Sequence, residues 1–381
     1  MNRNTASRLF AGFRLSLTAA VIVSLSPLHV YADVEIRQAT FLNDTQRQRL
    51  ANLVAKDTEA RALWKVLQTE ADAMLAAKPH PLTVIHYEGL LDTNPERITT
   101  RTALTDMDRL VVLGQAWAAS GETRYRDAAM AYVRAWSGAY VPTGNPINEN
   151  KLEPVFVAYG MMRDAFSTDE RIRIQAWMRR IAEVEIETGK NVKGTAQDNW
   201  HSKRLKIVGL IGRILEKKAF TAYAAKGFKS YVEGSLLPDG RSQDLIKRDA
   251  MSYHQSGLKP LLVLALYAAP EEGRALYRWQ APSGASLQNS VAYLLPYADG
   301  TKIHAEWVNT REPLDRQRAA AGIAYYQPGK PFDPKSATET FEFASAFDPR
   351  FTGTVAKLRG EPATSRFPSW QIVLNDAVRG R

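Results

Sequence analysis

Apolar residues in the first half of the chain recur at the three-to-four-residue spacing of helices that bury one face. Leu50, Leu53, Val54, Ala60, Leu63, Trp64 and Leu67 make one amphipathic stripe, read as a single segment. The same periodicity predicts helices over about 101–119, 123–138, 151–166, 168–188, 201–217, 219–235 and 250–268. Their connections are short and carry stop signals, such as Ser120-Gly121 and Pro142-Thr143-Gly144-Asn145-Pro146. Strand-like alternation is almost absent, so the pattern predicts an all-α fold. An array of helical hairpins curled into an (α/α) toroid or incomplete barrel, with a central cleft, buries so many stripes around one axis. The stretches show no exact repeat, which favours an irregular barrel over a regular solenoid. From about residue 280 onward Pro, aromatic and charged residues become frequent and Ser290–Val308 fits no period; this region is read as the closing part of the same domain.

The N-terminus has a different pattern. Arg3, Arg8 and Arg14 form a basic region, Leu15–Leu28 is apolar, and Val30-Tyr31-Ala32 puts small residues where a signal peptidase reads them. Residues 1–32 are therefore expected to be a signal peptide, leaving residues 33–381 as one domain, periplasmic or secreted. No later apolar run reaches the roughly 18 residues of a membrane span, so no membrane association is expected after cleavage.

With 381 residues and 45% hydrophobic content, the chain has enough apolar surface for a sizeable core. Its formal charge is +10, and loss of three arginines with no acidic residue leaves +7. A basic exported protein favours polyanions, and outside the cytoplasm an anionic polysaccharide is a better partner than nucleic acid. The absence of cysteine excludes disulfides, thiolate nucleophiles and cysteine-ligated metals. His80, His86, His201, His254 and His304, the histidines after the signal segment, form no i,i+4 pair and no His-Glu-x-x-His pattern. No metal and no cofactor is expected.

The candidate chemistry lies in Gln197-Asp198-Asn199-Trp200-His201-Ser202 and, about fifty residues on, Arg248-Asp249-Ala250-Met251-Ser252-Tyr253-His254. An amide, an imidazole, a guanidinium and a phenol together can neutralise a carboxylate and move a proton on the adjacent carbon. Asp198 or Asn199 is a good N-cap, and Leu205, Val208, Ile211 or Gly212 and Leu215 continue a stripe after it. His201, one turn before Leu205, is taken to begin the inward face. Gly209 and Gly212 would let this helix approach a neighbour closely. Arg248 and Tyr253 would diverge on one continuous helix, so Asp249 is read as capping a helix from Ala250, with Arg248 in the preceding loop and Tyr253 in the first turn.

Each group also has an ordinary reading: a capped core helix with a buried histidine, and a packing tyrosine. Tyr87-Glu88-Gly89, Trp117, Tyr125, Asn145-Pro146-Ile147-Asn148 and Trp307 are of the kinds that line sugar clefts, and Lys203, Arg204, Arg241 and Lys247 are candidates for a positive wall.

These motifs resemble the alginate-lyase superfamily of bacterial polysaccharide lyases, as a divergent relative of polysaccharide lyase family 5. Tyr87-Glu88-Gly89 resembles a Tyr-Glu-Gly segment of that family, and Gly114-Gln115-Ala116-Trp117, Gly121-Glu122-Thr123-Arg124-Tyr125 and Asn145-Pro146-Ile147-Asn148 are similar to its paired-helix region. Asn199-Trp200-His201-Ser202 resembles its Asn-Asn-His-Ser motif, and Tyr253-His254 with Leu258 and Pro260-Leu261 its Tyr-His segment. The resemblance implies a toroid and a lyase that cleaves alginate or a related polyuronate by β-elimination. It also implies an Asn and an Arg on the uronate carboxylate, a His active at the C5 proton, and a Tyr that protonates the departing oxygen.

Asn199, His201, Arg248 and Tyr253 are accordingly the catalytic candidates, and Tyr87, Trp200, Arg204, Arg241 and His254 the substrate-binding ones. Two positions depart from the family pattern. Trp200 stands at the second amide, and Ile246 stands where family 5 has its Arg, so Arg248 is the substitute, as in divergent relatives with Arg-Asp-Ala before Tyr-His. Glucuronan or another uronan is therefore an alternative substrate. A glycoside hydrolase on a similar toroid, with two carboxylates drawn from Asp198, Asp239, Asp244 and Asp249, is the rival enzyme class; a non-catalytic polysaccharide-binding protein is a third reading.

Overall fold

A computed structural model describes residues 37–191 and 197–380; the expected signal peptide lies outside the described residues. In chain order the helices are α1 (Asp44–Lys56), α2 (Thr58–Met74), α3 (Pro95–Ser120), α4 (Thr123–Ala139), α5 (Pro146–Glu149), α6 (Glu153–Met162), α7 (Thr168–Asn191), α8 (Asn199–Ile214) and α9 (Lys218–Ser235). They continue as α10 (Gln243–Arg248), α11 (Met251–Tyr267), α12 (Pro270–Arg278), α13 (Leu287–Ala298), α14 (Pro313–Ala320), α15 (Thr338–Ser345), α16 (Phe351–Arg359) and α17 (Trp370–Arg379). Two-residue strands β1 (Ala305–Glu306) and β2 (Lys330–Pro331) pair antiparallel, Ala305 opposite Pro331.

Local chemistry sets most boundaries. Asn94 caps α3 ahead of Pro95, and Gly121 closes it in the left-handed region at φ 73°. Asn145 caps α5, and Asp198 accepts the Trp200 N–H to start α8. The stripe from Leu50 to Leu67 belongs to two helices rather than one. Asp57 leaves the helical backbone after α1, and its carboxylate accepts the N–H groups of Glu59 and Ala60 as the cap of α2. The region after 280 is more helical than its composition suggests, since α13 takes in the start of the stretch that fitted no period.

The packing forms a closed circuit. α1, α3, α6, α8, α11, α15 and α17 each pack on the next, and α17 returns to α1. A second layer covers them: α2 on α3, α4 on α3 and α6, α7 and α9 on α8, α12 on α11, α16 on α15. Inner helices are enclosed on most sides, which is why nine of the ten residues of α6 are buried. Outer helices bury one stripe, as α2 does with Ala60, Trp64, Leu67 and Ala71. Close approach at α8 depends on its glycines: a Cβ on Gly212 would lie 2.9 Å from the Thr221 backbone nitrogen, and one on Gly209 would lie 2.4 Å from Leu264 Cδ1. Among the described residues no helix is long and apolar enough to cross a membrane.

Candidate active site

Five inner helices direct their N-terminal ends to one cavity of about 460 Å³. Arg97 of α3, Glu153 and Pro154 of α6, Asn199 and Trp200 of α8, Ser252 and Tyr253 of α11 and Glu339 of α15 all line it. Each such end carries partial positive charge from aligned peptide dipoles. The side chains add to it, with eight Lys and Arg against three Glu among the lining residues. Two of those glutamates face lysines: Glu153 pairs with Lys206 in the buried floor, and Glu339 lies 2.6 Å from Lys259. The site is built for an anion.

Arg248 and Tyr253 meet because the chain reverses between them. Arg248 is the last residue of α10 rather than part of a loop, and Asp249 follows it in the left-handed region at φ 52°. Ala250 is the extended N-cap of α11, so Tyr253 sits in the first turn as expected. The Asp249 side chain accepts the Asn309 N–H at 2.7 Å and its carbonyl accepts the Trp307 N–H at 2.8 Å, fixing the turn to the 304–309 segment. Arg248 grips Asp315 through Nε, at 2.9 Å, and Nη2. Its Cζ lies 3.6 Å from the centroid of the Tyr253 ring, a cation–π geometry. Trp307 meets the same ring edge-on at 5.8 Å. Burial opposes the Arg248 charge, but the Asp315 bond together with the charges of Tyr253, Asp315 and Glu312 outweighs it and holds the guanidinium above its ordinary value.

The Tyr87 ring is gripped by the Arg97 guanidinium at 4.2 Å and by Lys151 Nζ at 4.6 Å. Asn148 Oδ1 accepts the Glu88 N–H at 3.0 Å, so two of the sequence motifs meet at the rim. Trp117 and Tyr125, by contrast, are core residues: Arg47 stacks on Trp117, and the Tyr125 hydroxyl binds Asp72.

Several predicted site residues lie elsewhere. His201 does not line the cavity. It is two positions after Asn199, about 200° round the helix, and faces Tyr231 of α9 with ring centroids 6.3 Å apart. Burial, and then the nearby Arg204 charge, push its pKa down to about 4. The stripe through Leu205 that seemed to mark the inward face is in fact the surface packed on α9; a Cβ on Gly227 would strike Leu205. Arg204 is buried on Glu185, its Nε 3.1 Å from the carboxylate. Arg241 pairs with Asp239 at the surface. His254 is wholly buried between Ser242 Oγ at 2.9 Å and the Ser290 carbonyl at 3.0 Å, and Lys247 pairs with Glu312.

The cavity face of α8 is instead Asn199, Lys203 and Lys206, facing Ser252, Tyr253, Ser256 and Lys259 on α11. Lys203 Nζ donates to Asn199 Oδ1 at 2.9 Å and to Ser256 Oγ at 2.7 Å. Burial lowers its pKa well below the ordinary lysine value, against the pull of Asp244. Asp244, buried beside it, is raised, first by burial and then by Asp198. The signal for these residues was present in the sequence as polar positions at i, i+4 and i+7 along one face of the helix. Arg318, Tyr325 and Tyr326, which also line the cavity, carried no such signal. Among the described residues no group of three or more His, Asp or Glu is placed to hold a metal.

A ring of paired helices around a cationic cavity defines an (α/α) toroid with an anion-binding cleft. The family model for alginate lyase matches residues 53–304. The chain belongs to the alginate lyase family. The crystal structure of an alginate lyase from Bacteroides ovatus is similar to it with a TM-score of 0.63 at 16% identity, covering 88% of this chain and 99% of the other. Alginate lyase A1-III from Sphingomonas species A1 is similar with a TM-score of 0.57 at 16% identity, covering 82% and 90%. A His-to-Ala variant of alginate lyase A1-III complexed with tetrasaccharide is similar with a TM-score of 0.57 at 17% identity, covering 84% and 91%. No curated protein matches.

Proposed function

We propose that this protein is a polysaccharide lyase that cleaves a uronic-acid polysaccharide, alginate or a related uronan, by β-elimination. The observation that carries the reading is the Arg248–Tyr253 pair, a guanidinium 3.6 Å from a phenol ring at the wall of a cationic cavity. A uronate carboxylate beside Arg248 and Asn199 makes its C5 proton acidic, because the charge that develops on the carboxylate oxygens meets fixed donors. Tyr253, at the same wall, donates its proton to the glycosidic oxygen as the C4–O4 bond breaks. Trp200 and Tyr325 offer ring faces along the cavity for flanking sugars. The family name and the tetrasaccharide complex of a structural neighbour support alginate as the first substrate to test.

The hydrolase alternative needs two carboxylates across the scissile bond. Asp198, Asp239, Asp244 and Asp249 are not among the residues lining the cavity, and with Glu153 and Glu339 there held by lysines the lining offers Glu88 as one carboxylate where two are needed. The deciding experiment follows ultraviolet absorbance while the protein is incubated with alginate, polymannuronate, polyguluronate, glucuronan and hyaluronan. An unsaturated product is expected from at least one. New reducing ends without absorbance mean hydrolysis instead. We also propose export, with cleavage after Ala32; N-terminal sequencing of protein secreted by its host checks it, with Asp33 expected as the first residue.

A further inference from the structure

We infer that Glu306 is a positioning residue for the reaction: its carboxylate, brought in on β1, caps α11 and so sets where Tyr253 stands in the cleft. The inference rests on the β-elimination reading, in which Tyr253 gives its proton to the leaving oxygen. α11 begins without a cap of its own. A helix start leaves N–H groups unpaired, and Ala250 at the N-cap has no side-chain acceptor to offer them. Asp249, whose type suits that task, is turned away in the left-handed region, with its carboxylate on the Asn309 N–H at 2.7 Å and on Asn309 Nδ2 at 3.2 Å. The cap that the sequence pattern pointed to is engaged elsewhere.

Glu306 takes its place from 55 residues further along the chain. Its Oε1 accepts the Met251 N–H at 2.7 Å and, more loosely, the Ser252 N–H at 3.4 Å. The next two N–H groups, of Tyr253 and His254, reach the Ala250 carbonyl at 3.1 and 3.3 Å, which completes the first turn. Glu306 is 3% exposed and makes no ion pair among the described residues. A carboxylate is costly to bury unless donors meet it, and here the donors are the backbone of the helix that carries Tyr253. The hairpin holds it in place: Lys330 stands opposite it in the β1–β2 register, and the Gly329 N–H donates to the Glu306 carbonyl at 2.9 Å.

The next residue completes the grip. Trp307 has a φ of 68°, a strained backbone for so bulky a side chain. It donates its N–H to the Asp249 carbonyl at 2.8 Å and sets its ring against the edge of Tyr253 at 5.8 Å. Ala250, Trp307 and Tyr326 form a small hydrophobic cluster apart from the main core, and it is against this cluster that Tyr253 packs. Two consecutive residues of the hairpin thus hold the backbone and the ring of the proposed acid. Neither is among the residues lining the cavity, so their effect on the reaction passes through Tyr253.

A double-mutant cycle with Tyr253 tests the inference. Glu306→Ala is expected to lower kcat on a uronan by about 10-fold or more, with KM within a few-fold of wild type, because the lost cap misplaces the acid and leaves the lining of the cavity intact. In the Tyr253→Phe background the same substitution is expected to change the residual kcat by less than about 2-fold, since the hydroxyl it positions is already gone; a general loss of structure would lower kcat in both. Glu306→Gln keeps an oxygen for the two N–H groups without the charge, and its kcat is expected to lie between those of wild type and Glu306→Ala. An equal fall in both backgrounds overturns the inference, and so does a Glu306→Gln no more active than Glu306→Ala. Should Glu306→Ala fail to fold, or Tyr253→Phe show no residual turnover, Glu306→Gln decides alone: a few-fold fall in kcat at unchanged KM supports the inference, and a wild-type kcat or a rise in KM alone overturns it. No unsaturated product from the wild type on any uronan overturns the elimination reading, and this inference with it; an active wild type beside an equally active Glu306→Ala overturns the role of Glu306 alone.

Discussion

Tyr253 has one guanidinium against its face, one indole against its edge, and a backbone that places it in the first turn of α11. In the proposed reaction the phenol contributes its hydroxyl proton. Tyr253→Phe removes that proton and little else, so kcat is expected to fall by about 10² to 10⁴, with uronan binding retained by calorimetry. A non-catalytic binding protein would show no such effect. Arg248→Ala removes a donor to the developing charge and the ring partner of Tyr253, and a loss of about 10² to 10³ in kcat is expected. Arg248→Lys is expected to recover little of it, because an ammonium cannot make the two-pronged contact with Asp315 while lying flat on a ring. Asn199, Trp200, Arg248, Tyr253 and Tyr87, singled out from their types and neighbours, all line the cavity. His201, Arg204 and His254 are not among its lining residues because residue type does not state which side of a helix faces the lumen, and Arg241, in the connection before α10, pairs with Asp239 at the surface.

At the scale of the element, helix positions were largely readable from apolar spacing, and ends at Gly121 and Asp198 from residue type, whereas the break at Asp57 was hidden by a stripe that continues across it. The exception at α10 is instructive. Six residues ending in a left-handed Asp249 give too short a period to detect, yet that turn brings Arg248 onto Tyr253. The contact between α8 and α9 is a second case, where glycine replaces side-chain volume. In Gly212→Ala a Cβ meets backbone at 2.9 Å, which flexible side chains cannot relieve. The expected cost is about 1 to 3 kcal/mol, read as a lower midpoint in thermal or denaturant unfolding with kcat nearly unchanged.

For the whole molecule, the circuit from α1 to α17 and back sends five helix N-termini and an excess of cations into one cavity. Attraction of that kind is screened by salt over a distance of roughly 8 to 10 Å at physiological ionic strength. KM for a uronan is therefore expected to rise steadily between low and physiological salt, and a neutral polymer such as cellulose is expected to bind with no comparable dependence. Stability should depend on pH through the packed core. Burial pushes the His254 pKa down from 6.5 to about 4, so the folded state favours the neutral ring. The unfolded chain takes up the proton first as pH falls. This contribution is full above pH 6.5 and is lost progressively on acidification toward 4. The midpoint of thermal unfolding is expected to drop across that window, and less steeply in His254→Asn, whatever that variant's midpoint at neutral pH.

The one-dimensional pattern was enough to specify an all-α chain of amphipathic helices, most of their ends, and the guanidinium, amide and phenol proposed for the chemistry. Those properties follow from residue types and from spacings within a few turns, where side chains and backbone interact locally. Which helices became inner and which outer, and so which face of α8 met the lumen, depended on the closing of a ring through contacts hundreds of residues apart. In such a ring the apolar face of an inner helix turns toward its neighbours and its thin polar stripe toward the cavity. That inversion set His201 in the wall and Lys203 in the cleft.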